Sequence, residues 1–150
     1  MLTAKGKYGL KALIYLAGTP PGVASQAADI AQRNNIPRKF LDTILLELRN
    51  AGFVHSRKGP GGGYTLARPA SQIRIGMVIR ALDGPLAPIA CVSQTAYAPC
   101  GDCTDPPATC PVRGVMRDVR NAIAYILDNM ELSALAARAE IHPGLWSYVI

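Results

Sequence analysis

The sequence predicts a mainly α-helical chain with one small β-hairpin: a winged helix-turn-helix, followed by a cysteine-rich loop and a long C-terminal helix. An apolar stripe at helical spacing over residues 36–51 and a glycine-rich segment, 59–63, between two strand-like runs predict the winged part. All four cysteines and six of the twelve prolines lie within residues 84–111, which is typical of an irregular loop. The predicted segments are therefore 1–83, 84–111, 112–139 and an apolar tail, 140–150.

The central helix is predicted over residues 37–50. Its apolar residues recur at the spacing i, i+3, i+4 and i+7, which turns one face towards a core: Leu41, Ile44, Leu45 and Leu48. Gly52 is suited to the left-handed conformation that follows a helix. Strands are then expected over 53–58 and 64–67, and the Gly-Pro-Gly-Gly-Gly segment between them predicts a turn with glycines at positive φ.

Three further helices surround this centre. Thr3 is expected to cap a helix over 4–17, and Ser25 is expected to cap a short one over 26–32. The short helix, a tight turn and the central helix form a helix-turn-helix. The last helix of the winged part is predicted over 71–83, and its apolar residues are spaced to pack on a core: Ile75, Val78, Ile79 and Leu82.

The positive charge is concentrated in the first half of the chain. Residues 1–68 contain ten Lys and Arg against three acidic residues, a balance of +7, whereas residues 69–150 contain six against seven, a balance of −1. Arg57 and Lys58 stand at the base of the glycine turn, whose backbone N–H groups can approach an anion. This asymmetry indicates that the winged part binds a polyanion, most simply double-stranded DNA. A flexible hairpin tip beside a solvated basic face is the structural alternative.

The sequence also indicates in which cellular compartment the protein is expected. No apolar run approaches the roughly 18 residues of a membrane span. Lys11 interrupts the apolar part of the N-terminal segment and no small-x-small cleavage site follows, which excludes a signal peptide. We therefore expect a cytoplasmic protein without a membrane partner, in which cysteines serve as metal ligands or redox thiols rather than as structural disulfides.

The cysteines follow the pattern Cys91-x8-Cys100-x2-Cys103-x6-Cys110. Four thiolates can hold a two-iron or four-iron cluster or a tetrahedral zinc ion. A metal-free thiol–disulfide switch that uses Cys100 with Cys103, or Cys91 with Cys110, is also compatible with this pattern. Spacing alone does not separate these possibilities. Catalysis by a Cys-x-x-Cys dithiol is not expected. In such enzymes the motif opens a helix, which lowers the thiol pKa, whereas here Cys103 precedes Thr-Asp-Pro-Pro, which starts no helix.

A single long helix is predicted over residues 112–138. Its apolar residues step by four and three, as in a heptad seam: Val112, Met116, Val119, Ile123, Ile126 and Met130. Val115, Ala122 and Leu127 add a second strip. A helix that is apolar on two sides needs two partners, so we expect it to pack on its own domain and on a second copy of the chain. Packing on its own core alone is the alternative.

Several stretches together resemble the Rrf2 family of bacterial winged-helix transcription regulators. The resemblance covers residues 1 to about 138 and rests on the wing RKGPGGGYTLARP, the following IRIGMVIRALDGPLAP, the cysteine loop and the long final helix. It implies a homodimer that binds a palindromic operator and carries an iron–sulfur cluster or a thiol switch in the loop. It also implies that certain residues contact DNA: Arg38, Lys39, Asp42, Thr43, Lys58, Gly61, Gly62 and Gly63.

The chain departs from the family pattern at three positions. Some members have Glu where this chain has Asp42, so the operator sequence is not expected to transfer. Arg113 stands where some members use a histidine ligand, and Lys7 stands where others use an acidic one. We therefore expect all four cysteines to hold an iron–sulfur cluster that senses iron, redox state or nitric oxide. A structural zinc, a thiol switch and a cluster-free repressor controlled by a protein partner remain alternatives.

Overall fold

The computed structural model describes residues 2–104 and 106–141. In these residues the chain forms six α-helices and one two-stranded antiparallel hairpin. In chain order they are α1 (Ala4–Ala17), α2 (Ala27–Asn34), α3 (Arg38–Asn50), β1 (Val54–Arg57), β2 (Gly63–Leu66), α4 (Ile75–Asp83), α5 (Pro111–Asn129) and α6 (Leu132–Ile141). Short 3-10 turns lie at Ala70–Gln72, Ala90–Val92 and Pro107–Thr109. The predicted fold class is confirmed.

One apolar core joins α1, α2, α3, α4, the hairpin and α6. The predicted stripe of α3 supplies its centre, because all four residues are fully buried: Leu41, Ile44, Leu45 and Leu48. Thr3 caps α1 as predicted, since its hydroxyl oxygen accepts a hydrogen bond from the N–H of Gly6 at 3.4 Å. Gly52 follows α3 with a φ of +82°, as its position predicts. These local signals set the boundaries of α1 and α3.

The hairpin is attached to the helix-turn-helix by backbone hydrogen bonds. Val54 pairs with Leu66 at one end of the hairpin and Arg57 with Gly63 at the other. The N–H of Ser25 donates to the carbonyl of Tyr64 at 3.0 Å, and the N–H of Tyr64 donates to the carbonyl of Ser25 at 2.8 Å. The expectation that Ser25 caps the second helix is therefore wrong. Its backbone extends the sheet instead, and α2 begins at Ala27.

The prediction of one long helix over 112–138 is also wrong. α5 ends at Asn129, and α6 starts at Leu132. Between them the chain is extended and pairs with the segment before α4: the N–H of Ile75 donates to the carbonyl of Met130 at 2.9 Å, and the N–H of Leu132 donates to that of Ile73 at 2.8 Å. The same pairing starts α4 at Ile75 rather than at residue 71.

The pairing places α6 against α1 and seats Leu132, which is fully buried, in the core. The predicted apolar tail lies, from residue 142 onwards, outside the described residues. Among the helices of the described ranges, none combines the length and hydropathy that a membrane crossing requires.

Candidate nucleic-acid interface and metal centre

The exposed face of α3 presents a charged and polar patch. Arg38, Lys39, Asp42 and Thr43 are all exposed. The Nε of Arg38 donates to Oδ1 of Asp42 at 3.1 Å, one helical turn away, and both side chains are about half exposed. This pair holds a guanidinium and a carboxylate side by side at the start of the helix, where both can still reach hydrogen-bonding groups on base edges.

The tip of the wing has a conformation that requires glycine. Gly61 has a φ of +72° and Gly63 a φ of +139°. A Cβ at Gly63 would lie 2.5 Å from the carbonyl oxygen of Ser25, and one at Gly62 would overlap the carbonyl oxygen of Arg57. The guanidinium of Arg57 donates to the carbonyl of Gly61 at 3.3 Å and closes the tip, whereas Lys58 is exposed beside it.

Two further basic residues fix this surface, and neither role was predicted. Arg49 of α3 donates from Nη1 to the hydroxyl of Ser56 at 3.3 Å and links the helix to the wing. Lys11 is 8% exposed, and its Nζ donates to the carbonyl of Asn34 at 2.7 Å, at the C-terminus of α2. Burial, and secondarily the charge of Lys7, lowers the pKa of Lys11. In the sequence, this role of Lys11 is indicated by its position as a single lysine within an otherwise apolar stretch of helix.

The four cysteines line a single cavity of about 470 Å³ between the turn Ala90–Val92, the loop after it and the start of α5. Cys91 is buried, Cys110 is half-buried, and Cys100 and Cys103 are exposed. The Sγ atoms of Cys100 and Cys103 and a carboxylate oxygen of Asp102 all lie within 4.8 Å of one another. All four predicted ligands thus line one cavity, but of these four only Cys100 and Cys103 belong to the group within this distance, to which Asp102 adds a donor that the sequence pattern did not single out.

The thiols interact with one another. Burial raises the pKa of Cys91, and a hydrogen bond to Cys100 and the charge of that group raise it further, against the opposing charge of Arg113. The hydrogen bond from Cys91 lowers the pKa of Cys100, but Cys103, burial and Asp102 together outweigh it, so the pKa of Cys100 is raised. Mutually close thiols that resist separate ionisation are well suited to a shared cation, which removes their protons.

Arg113 fixes both ends of the cysteine segment to α5. Its Nε donates to the carbonyl of Cys91 at 3.1 Å, and its backbone N–H donates to the Sγ of Cys110 at 3.4 Å. Cys110 is the residue that caps α5. Four thiol ligands around one cavity, with a guanidinium and a helix N-terminus beside them, fit a four-thiolate iron–sulfur cluster or a zinc ion.

The similarity of this chain to known proteins identifies its family. Residues 2–138 match the model of the Rrf2 family, which is described as an iron-dependent transcriptional regulator. The chain belongs to the Rrf2 family. A putative rrf2-like HTH-type transcriptional regulator of Rhodobacter capsulatus is 41% identical over 140 residues, which cover 91% of this chain and 93% of that protein.

Two solved structures are similar over most of their length. CymR, the global cysteine regulator of B. subtilis, has a TM-score of 0.76 and 33% identity, covering 92% of this chain and 97% of CymR. IscR of T. potens has a TM-score of 0.73 and 27% identity, covering 93% and 88%. This Rrf2-family chain is therefore a DNA-binding transcriptional regulator with a winged-helix fold, and not an enzyme.

The six apolar residues predicted to form the dimer interface do not all lie on one exposed face of α5. Ile123 and Met130 pack against the core of their own chain and Met116 is half-buried, so these three do not belong to an exposed stripe. The other predicted residues are exposed, and Val115 and Ala122 continue their line. We call this exposed line the α5 stripe: Val112, Val115, Val119, Ala122 and Ile126.

Proposed function

We propose that this chain is a homodimeric regulator that binds a palindromic operator in double-stranded DNA and senses iron, redox state or nitric oxide through an iron–sulfur cluster held by Cys91, Cys100, Cys103 and Cys110. The observation that carries the proposal is that all four cysteines line one cavity next to the first turn of α5. The winged part, with its basic charge, supplies the DNA surface, and α5 connects the two.

DNA binding rests on α3 and the wing. The start of α3 enters the major groove, where the Arg38–Asp42 pair and the exposed Lys39 and Thr43 meet base edges and phosphates. Lys58 and the glycine tip lie along the phosphate backbone, which the backbone N–H groups of a glycine turn can approach closely. The backbone pairing of Ser25 with Tyr64 keeps the wing at a fixed angle to the helix-turn-helix.

The α5 stripe supports the homodimer. Its five residues step by three and four along the helix, and Val112, Val115 and Ile126 are each more than half exposed. An apolar line of this regularity on one exposed helix face matches a second copy of itself about a two-fold axis. Two-fold symmetry in turn predicts a palindromic operator with half-sites about 34 Å apart per helical turn.

The cysteine cavity is placed to influence the spacing of the two DNA-binding surfaces. Cys91 belongs to the turn after α4 and Cys110 caps α5, and Arg113 already holds these two segments together. Ligation by all four cysteines would fix the tilt of α5 against α4. A cluster bound there supplies a reversible electron couple whose potential depends on hydrogen bonds and exposure. The exposed Cys100 and Cys103 make that site reachable for small oxidants.

A metal-free thiol switch is the second candidate. The Sγ atoms of Cys100 and Cys103 are already within 4.8 Å, so a disulfide requires only a small rearrangement of an exposed loop. One similar solved structure, CymR of Staphylococcus aureus, was determined in an oxidized form, which also favours thiol chemistry. A structural zinc would use the same four ligands. The three possibilities differ in what the protein contains when it is isolated.

The test is purification without oxygen, followed by a visible spectrum and analysis of iron, sulfide and zinc. We expect a brown protein with equal contents of iron and sulfide, and we expect the variant Cys103→Ala to lose both. A colourless protein with one zinc per chain would make the loop structural. A colourless protein without metal that forms a Cys100–Cys103 disulfide on mild oxidation would establish the thiol switch instead.

A further inference from the structure

A second, smaller cavity lies beside the segment that follows Cys91. It has a volume of about 210 Å³ and lies between α4, the segment 86–95 and α5. Its lining combines two guanidinium groups with hydroxyl and amide groups: Arg80, Arg120, Ser93, Gln94 and Thr95, over an apolar base of Leu86 and Ala124. No carboxylate is among its described lining residues; Asp128, which is not one of them, is bound to Arg80, so the net positive charge at the cavity comes from Arg120.

Arg120 supplies the unneutralised charge. Its Nε is a buried donor without a hydrogen-bond partner among the described residues, and one of its Nη atoms is bonded to Asn121. No ion pair joins Arg120 to a carboxylate in the described ranges. Arg80, by contrast, donates from both Nη atoms to Asp128, at 2.5 Å and 2.9 Å. The charge of Arg120 is therefore available to an anion in the cavity, whereas Asp128 offsets the charge of Arg80.

Donors reach the cavity from three directions. Arg80 comes from α4, Arg120 comes from α5, and Ser93 comes from the loop. The Oγ of Ser93, which is 8% exposed, accepts a hydrogen bond from the N–H of Ala96 at 2.9 Å, so its hydroxyl proton is available to a ligand. Donors on three sides suit an anion whose oxygens point in several directions, as those of a tetrahedral oxyanion do.

The size of the cavity sets the size of the ligand. Pockets for drug-sized molecules measure about 300–1,000 Å³, so 210 Å³ is too small for them. It equals the share of about seven waters at roughly 30 Å³ each, which leaves room for a small oxyanion together with several waters. We propose that Arg80, Arg120 and the hydroxyl and amide groups of residues 93–95 form a binding site for a small tetrahedral oxyanion, of the class of phosphate and sulfate.

This site would connect the cysteine loop to the helices. Ser93 lies two residues after Cys91, and Arg120 lies two turns along α5 from Arg113, which holds the carbonyl of Cys91. An oxyanion bound between Ser93 and Arg120 would therefore be a second connection between the same loop and α5. The inference does not depend on what the cysteines hold, because it rests on a separate cavity and separate residues.

The test is calorimetric titration of the full chain with inorganic phosphate at constant ionic strength in chloride. Wild-type protein is expected to bind one phosphate per chain with saturation. Arg120→Gln should weaken that binding at least tenfold, whereas Arg117→Gln, which removes an exposed arginine one turn away on the same helix, should leave it unchanged. Thr95→Val removes only a hydroxyl and should weaken binding about threefold, which keeps the test valid if Arg120→Gln does not fold.

Sulfate and acetate complete the experiment. Sulfate should compete with phosphate, and acetate, a planar carboxylate of similar size, should bind at least tenfold more weakly. The proposal is overturned if wild-type protein shows no saturable phosphate binding, if Arg120→Gln and Thr95→Val both bind phosphate like wild type, or if acetate binds as tightly as phosphate does.

Discussion

At the scale of single residues, Gly63 joins the wing to the helix-turn-helix. Its φ of +139° is strained for any residue with a Cβ, and that Cβ would collide with the carbonyl of Ser25. Strain of this kind costs about 1–3 kcal/mol. We therefore expect Gly63→Ala to lower the free energy of unfolding by at least about 2 kcal/mol in urea titrations. Gly101→Ala, at an open position without a positive φ, is the matched control and should change little.

Two basic residues of the DNA surface should behave differently. Arg38 is proposed to reach base edges, so Arg38→Gln should cost about 1–3 kcal/mol in affinity for a selected operator and relax preference at one base pair. Lys58 is proposed to contact phosphate, so Lys58→Gln should weaken binding to all sequences. It should also reduce the slope of log affinity against log salt concentration by about one. Fluorescence anisotropy at several salt concentrations separates the two. Identical effects of both changes on every sequence would contradict the assignment.

At the scale of elements, sequence reasoning succeeded where the signal is local. Thr3, the stripe of α3 and Gly52 each act within a few residues, and each matches the structure. The break between α5 and α6 was missed because its cause lies more than fifty residues away, in the pairing of Ile75 with Met130. Local helical periodicity carries no information about such a partner.

The same distinction applies to the sites. The four cysteines could be named from sequence because thiols in one loop are a strong pattern. Asp102, Lys11 and Arg120 could not be assigned, since a single charged residue gains a role only from neighbours that the fold brings to it. Arg120 in particular differs from the exposed Arg117 on the same helix because it is half-buried and lines a cavity.

The ion pair between α4 and α5 has a defined pH dependence. The hydrogen bond from Arg80, and then its charge, lowers the pKa of Asp128 below its ordinary value of 3.8 against the effect of burial. The pair therefore stabilises the fold above pH 3.8, and this contribution is lost as the pH falls through the lowered pKa. Because the side chains of Arg80 and Asp128 are 32% and 41% exposed, water screens the pair, and we expect only about 1 kcal/mol at pH 7.

Urea unfolding of Asp128→Asn beside wild type measures this contribution. The variant should be less stable at pH 7, and the difference should shrink below pH 3.8 as the wild-type carboxylate takes up its proton. Asp118→Asn, an exposed position on the same helix without an ion pair among the described residues, is the control and should follow wild type at every pH. A difference that stays constant down to pH 2.5 would rule out the ion pair as its cause.

At the scale of the whole molecule, the α5 stripe determines whether two chains associate. Val119→Glu places a charge in the middle of the proposed interface, which is unfavourable for a buried, unpaired carboxylate. We expect light scattering to find a monomer, and operator affinity to fall at least tenfold because the two half-sites are no longer tethered. Tyr125→Glu changes a side chain that is 74% exposed on a neighbouring face. That variant should remain a dimer, and a dimeric Val119→Glu protein would exclude the stripe as the interface.

The central claim is that ligation of the cysteine loop changes how the dimer fits its operator. A coupling of about 1–3 kcal/mol is typical between two sites in one protein. The most direct measurement is the affinity for an operator selected from random duplexes, compared without oxygen between cluster-containing and metal-free wild type, with Cys103→Ala alongside. We predict that the operator affinities of the cluster-containing and metal-free wild-type forms differ at least fivefold. We also predict that Cys103→Ala has the affinity of the metal-free form. Equal affinities for all three would contradict it.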